Sequence, residues 1–141
     1  GTLGGYVSEA QDINDADQIV GYSYLADGST YRAFMYEHGQ MFDLGTLGGP
    51  NSIARAINNR GEVVGTADTP VGSYPTYRAF AYRQGVMTDL NELIDPMSGW
   101  TLLEASDIND CGQIVGYGLI DGYGHGFLLT PVGQTCCGSE D

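Results

Sequence analysis

The sequence predicts an all-β chain of three four-stranded antiparallel, propeller-blade-like repeats, and three observations lead there. The first is repetition. Gly1-Thr2-Leu3-Gly4-Gly5 returns as Gly45-Thr46-Leu47-Gly48-Gly49, and Asp12-Ile13-Asn14 returns as Ala56-Ile57-Asn58 and Asp107-Ile108-Asn109. Ile19-Val20-Gly21 likewise returns as Val63-Val64-Gly65 and Ile114-Val115-Gly116. The second is the period of 44 to 51 residues, which is the length of one blade of a β-propeller. The third is composition: Gly, Tyr, Thr and Val are abundant and no long stretch repeats every 3.6 residues, which excludes helical solenoids.

Each unit reads as four strands. The first runs over residues 9–14, 53–58 and 104–109. The turn after it, Asn14 to Gln18, Asn58 to Glu62 or Asn109 to Gln113, has the chemistry of a type I turn closed by a left-handed residue. Gly61 and Gly112 fit that position without strain, and Asp17 is among the few other residue types that tolerate it. The Asn that opens each turn is expected to bond its own backbone. The second strand, over 18–24, 62–67 and 113–119, carries consecutive aliphatic residues and then Gly, the pattern of a sheet covered on both faces.

A loop of varying length leads to the third strand, over 31–36, 77–82 and 124–129. A short turn at His38-Gly39 or Gln84-Gly85 then gives the fourth, over 41–44 or 87–90. The third unit has no clear fourth strand; Val132 to Cys137 occupies that slot. Residues 91–103 interrupt the rhythm and are expected to form a loop or one helical turn, with Trp100 capping the core. The units are therefore 1–44, 45–90 and 91–135 of a single repeat domain, followed by a tail, 136–141, that is expected to be disordered.

Three blades are fewer than a propeller normally uses, and the outer faces of a three-blade arc would leave apolar surface in water. Two copies closing a six-bladed ring as a homodimer answer this. A longer parent protein, a three-sheet prism or a sandwich are the alternatives.

Charge limits the partners. Eighteen acidic residues face five Arg and no Lys, for a formal net charge of −13. Such a chain repels nucleic-acid phosphates and anionic lipid, and no apolar run approaches the length that spans a bilayer. The charge is also uneven: residues 1–44 sum to −6, 45–90 to +1 and 91–141 to −8. Cys111, Cys136 and Cys137 do not make a disulfide framework, although a bridge from Cys111 to the tail is compatible with the spacing, as are free thiols.

Asp43-Leu44-Gly45-Thr46-Leu47-Gly48-Gly49, then Ala56-Ile57-Asn58-Asn59-Arg60-Gly61-Glu62-Val63-Val64-Gly65 and Arg78-Ala79-Phe80, resembles the HAF family of bacterial extracellular repeats. The eponymous His-Ala-Phe slot reads Arg32-Ala33-Phe34, Arg78-Ala79-Phe80 and His125-Gly126-Phe127. The likeness covers residues 1 to about 131. It implies a secreted or surface-exposed bacterial protein of unknown function, with no catalytic or ligand residues attached to its motifs and often with more than three repeats.

Candidate chemistry is sparse. Asp12, Asn14, Asp15 and Asp17 suggest a calcium loop, but the EF-type pattern of a sixth-position Gly and a twelfth-position Glu is missing, and no metal or other cofactor is expected. Arg32 and Arg78, each within a strand, call for a carboxylate, with Asp12 or Asp43 as structural ion-pair partners, or for stacking on Tyr36 and Tyr82. No Ser-His-Asp, Cys-His or zinc-type spacing occurs, so the chain is not expected to be an enzyme. The expected function is a non-catalytic module offering a binding or assembly surface. The alternative is a lectin-like carbohydrate binder using the variable loops, with Tyr74, Tyr77, Trp100 and Tyr123 as ligand contacts. A hydrolase is the third expectation and would need two suitably spaced carboxylates.

Overall fold

The computed structural model describes residues 1–133. It is all-β, in three antiparallel sheets of four, four and three strands. The first sheet is β1 (Gly4–Ile13), β2 (Ile19–Leu25), β3 (Tyr31–Glu37) and β4 (Gln40–Asp43), in that order. The second repeats it as β5 (Ser52–Ile57), β6 (Val63–Asp68), β7 (Tyr77–Arg83) and β8 (Val86–Asp89). The third is β9 (Trp100–Ile108), β10 (Ile114–Ile120) and β11 (Tyr123–Leu129). Every neighbour in a sheet is also a neighbour in sequence, so each sheet is a simple meander. The slot from Val132 to Cys137, the tail and the pairing of Cys136 and Cys137 fall almost wholly outside the described residues; Cys111 itself is disulfide-bonded.

The turns follow their residues. Asp17, Gly61 and Gly112 take φ of 59°, 75° and 76°, the left-handed positions that close the first turn of each unit. His38-Gly39 and Gln84-Gly85 both have two successive positive φ values, the geometry whose twist matches that of a hairpin.

Residues 91–103 correct one expectation. Leu90–Leu93 is a single 3-10 turn, capped by the Asp89 carboxylate accepting from Asn91 N–H. Trp100 to Leu103, however, is not loop but the start of β9, whose edge pairs Trp100 with Ile120. Asn91 holds the turn against this strand from both sides, accepting from Leu102 N–H at 2.7 Å and donating to its carbonyl at 2.9 Å.

A bulge recurs at one place in every unit: the first strand carries an extra residue, Gln11, Arg55 or Ser106, opposite the second. It twists each meander, and the strand's apolar residues consequently turn to both faces. Buried residues fall into two clusters. Val20, Ala33 and Met35 of the first sheet meet Ile57, Val63 and Phe80 of the second; Val64, Ala79 and Ala81 of the second meet Leu102, Ile108, Ile114 and Phe127 of the third. Val63 and Val64, adjacent in sequence, thus serve opposite interfaces, as consecutive aliphatic residues require. The middle sheet is covered on both faces, and each outer sheet has one covered face.

Candidate functional site

The junction between units is built from the turn Asn. Asn14, Asn58 and Asn109 each use Oδ1 to accept two amide protons of their own turn, at 3.0–3.1 Å for Asn14, 3.0 Å for Asn58 and 2.9–3.1 Å for Asn109. Each Nδ2 donates to the residue closing the turn: Gln18, Glu62 or Gln113. The remaining Nδ2 proton reaches across to the next unit. Asn14 donates to the Asn58 carbonyl at 3.0 Å, and Asn58 donates to the Asn109 carbonyl at 3.0 Å.

The following residue extends this ladder. Asp15 N–H donates to Asn59 Oδ1 at 2.8 Å, and Asn59 N–H donates to Asp110 Oδ1 at 2.8 Å. Asn59 Nδ2 donates to the second Asp110 oxygen at 2.9 Å. The amide and side chain of Asn59 thereby hold the Asp110 carboxyl below the usual carboxylate range. The self-bonding of the turn Asn is legible in the sequence, whereas its reach into the next unit depends on how the sheets stack.

The ladder stops at both ends, and so does the packing. Among the described residues, the Asp110 N–H and one Asn109 Nδ2 proton take no partner at the front of the third unit, and the Asp15 carboxylate accepts nothing at the back of the first. Val115 is 44% exposed on the third sheet, while its equivalents Val20 and Val64 are both at 0%. Ile13 is 57% exposed on the first sheet, while its equivalents Ile57 and Ile108 are at 5% and 7%. Tyr117 and Leu128 extend the exposed apolar strip beside Val115, and Tyr36 extends the one beside Ile13.

The candidate residues from the sequence do not converge. Arg78 pairs with Asp89 at 2.9 Å, part-buried, and leaves its Nε buried without a partner. Arg32 pairs more loosely with Asp43 at 3.5 Å and donates from Nε to the Pro50 carbonyl. Asp12 corrects its expected role: its carboxylate meets no guanidinium but accepts from Ile13 N–H and, across the junction, from Ile57 N–H at 2.9 Å. Sequence could not foretell this, because a backbone donor leaves no residue signature. Tyr74, on the loop before β7, and Tyr123, the first residue of β11, stand exposed apart from each other. Trp100 packs edge-on to His125 and Phe127, at ring-centroid separations of 6.4 and 6.5 Å. Tyr77 lines a cavity beside β5 together with Tyr31. Among the described residues no group of three or more His, Cys, Asp and Glu is placed to hold a metal ion, and no helix is long and apolar enough to cross a membrane.

Fold and junctions together define an all-β repeat protein, in which like sheets stack through one recurring apolar and polar interface. The chain belongs to the DUF3466 family, described as protein of unknown function, whose family model matches residues 8–126. No curated protein and no solved structure matches it.

Proposed function

We propose that the chain is a non-catalytic β-repeat module that presents binding and assembly surfaces, and that its front end docks on the back end of a second copy. The observation that carries this is the exposure at each end of the same positions that are buried at both internal junctions. Two copies joined in this way at both ends form a six-bladed ring, a closed head-to-tail arrangement with twofold symmetry. By analogy with the internal junctions, Asn109 Nδ2 is expected to donate to the partner's Asn14 carbonyl, and Asp110 N–H to the partner's Asp15 carboxylate.

One contact differs. Inside the chain this ladder position reads Asp15, Asn59, Asp110, so Asn59 stands between the two acidic residues: it accepts from Asp15 N–H and donates to the Asp110 carboxylate. At the new junction Asp110 meets the partner's Asp15, and both end units carry net negative charge. Association is therefore expected to strengthen with salt, against the usual trend for a polar contact, because screening weakens the repulsion while apolar burial persists.

Sedimentation of the 15.0 kDa chain is expected to show a dimer whose dissociation constant falls from about 50 mM to about 500 mM NaCl. Asp15→Asn recreates the internal Asp–Asn pairing and is expected to tighten the dimer about two- to fivefold while flattening its salt dependence. Val115→Arg is expected to abolish it. A single 15.0 kDa species at every salt concentration, in wild type and Asp15→Asn alike, overturns the reading. Secretion or surface display, which the HAF resemblance implies, belongs to the same proposal and is checked by cell fractionation.

A further inference from the structure

The middle unit departs from its neighbours at one matched pair of positions. Glu9 faces Tyr22 across β1 and β2, and Glu104 faces Tyr117 across β9 and β10; in the middle unit the pair is Ile53 and Thr66. In the first unit this pair is closed by a hydrogen bond from the Tyr22 hydroxyl to Glu9 at 3.0 Å. Shorter side chains in the middle unit leave room, and a cavity of about 200 Å³ lies there. Tyr31 of the first unit, Arg55, Thr66, Asp68 and Tyr77 of the second, and Glu104 of the third line it.

Two buried polar atoms of this lining have no hydrogen-bond partner: Arg55 Nε and Thr66 Oγ1. Arg55 is the bulged residue of β5, where the other units carry Gln11 and Ser106. Bulges re-aim side chains and gather at functional sites. None of the ion pairs among the described residues includes Arg55, although two carboxylates line the same cavity. Unsatisfied buried groups are rare in native folds, and the two in this cavity call for a partner that the chain itself does not supply.

We propose that this cavity binds the terminal residue of a neutral glycan. The lining contains a fixed cation, two carboxylates, a hydroxyl and two tyrosines. An anion would meet Asp68, Glu104 and the strongly acidic chain; a cation would meet Arg55. Sugar hydroxyls suit both, donating to the carboxylates and accepting from Arg55, while the flat Tyr31 and Tyr77 rings match the apolar face of a pyranose. Burial and the nearby Asp68 hold the Tyr31 phenol above its ordinary value, so it stays protonated and able to donate. The volume lies below the roughly 300–1,000 Å³ of drug-sized sites, which limits the ligand to about one ring. All lining residues belong to one chain, so the site does not depend on self-association.

The test is calorimetric or saturation-transfer titration of the full chain. The probes are glucose, galactose, mannose and N-acetylglucosamine, with glucuronic acid and glucosamine as charged counterparts. At least one neutral sugar is expected to bind, about tenfold or more tightly than either charged one. Thr66→Tyr installs the residue the neighbouring units carry and is expected to weaken binding at least about tenfold with an unchanged melting midpoint. Arg55→Gln, which installs the first unit's residue, is expected to do the same and decides the matter should the tyrosine variant fail to fold. Absence of binding by every neutral sugar, equal or tighter binding of a charged one, or wild-type affinity in the folded variants overturns the proposal.

Discussion

Gly65→Ala is expected to destabilise the chain by about 3 kcal/mol or more, one of the largest effects open to a single methyl group here. A Cβ on Gly65 would lie 2.0 Å from the Ile53 carbonyl oxygen and 3.0 Å from the Phe80 ring. The closest partner is the Ile53 backbone, so no side-chain rotation relieves the contact. Its origin is the bulge at Arg55, which brings the first strand over the second at that point. The same approach recurs at Gly21, 1.9 Å from the Glu9 carbonyl, and at Gly116, 1.9 Å from that of Glu104. Urea denaturation should show the midpoint falling by about 1–3 M at an unchanged slope. Gly72→Ala is the control: its φ of +89° is strained for Ala, yet a Cβ there meets nothing within 4 Å, and about 1–2 kcal/mol is expected. Equal losses in the two variants would falsify the close-approach account.

These glycines show how far the sequence could be read. The motif of two aliphatic residues followed by Gly is visible three times, and the coverage on both faces that it signals holds for Val63 and Val64 of the middle sheet but not for the third sheet, where Val115 is 44% exposed. The reason for the Gly is not visible, because a bulge is a matter of register and Gln11, Arg55 and Ser106 share no side-chain chemistry. Trp100 was hidden differently. The insert before it breaks the alignment of the third unit with the others, so a strand start reads as loop. The turn residues Asp17, Gly61 and Gly112 were legible because backbone conformation restricts residue choice directly. The cavity was not, since it depends on knowing that Ile53 faces Thr66 where the other units pair Glu with Tyr. Tyr74, Trp100 and Tyr123 lie apart from one another, because residue type alone does not reveal which elements converge.

Asn58 ties the second unit to the third, and Asn58→Ala is expected to remove about 3 kcal/mol of stability. Asn58 is buried, and its amide is fully used. Its Oδ1 accepts from Arg60 and Glu62 N–H, and its Nδ2 donates to Glu62 and to the Asn109 carbonyl. Truncation strands two turn amides and removes one of the two donors on the Asn109 carbonyl, which keeps Gly112 N–H; each unsatisfied buried group costs about 1–3 kcal/mol, reduced where solvent reaches it. Asn109 makes the same turn bonds but is exposed and, among the described residues, reaches no further unit. Asn109→Ala is therefore expected to cost about 1–2 kcal/mol, the value of an exposed cap alone. The difference between the two variants isolates the link from one unit to the next. If the ladder holds the sheets in register, amide exchange in the Asn58 variant should accelerate in β9 and β10 as well as in the altered turn, whereas the Asn109 variant should loosen only its own turn. Equal stability losses, or exchange confined to residues 58–62 in the first variant, would mean that apolar packing alone fixes the stack and that the polar ladder merely follows it.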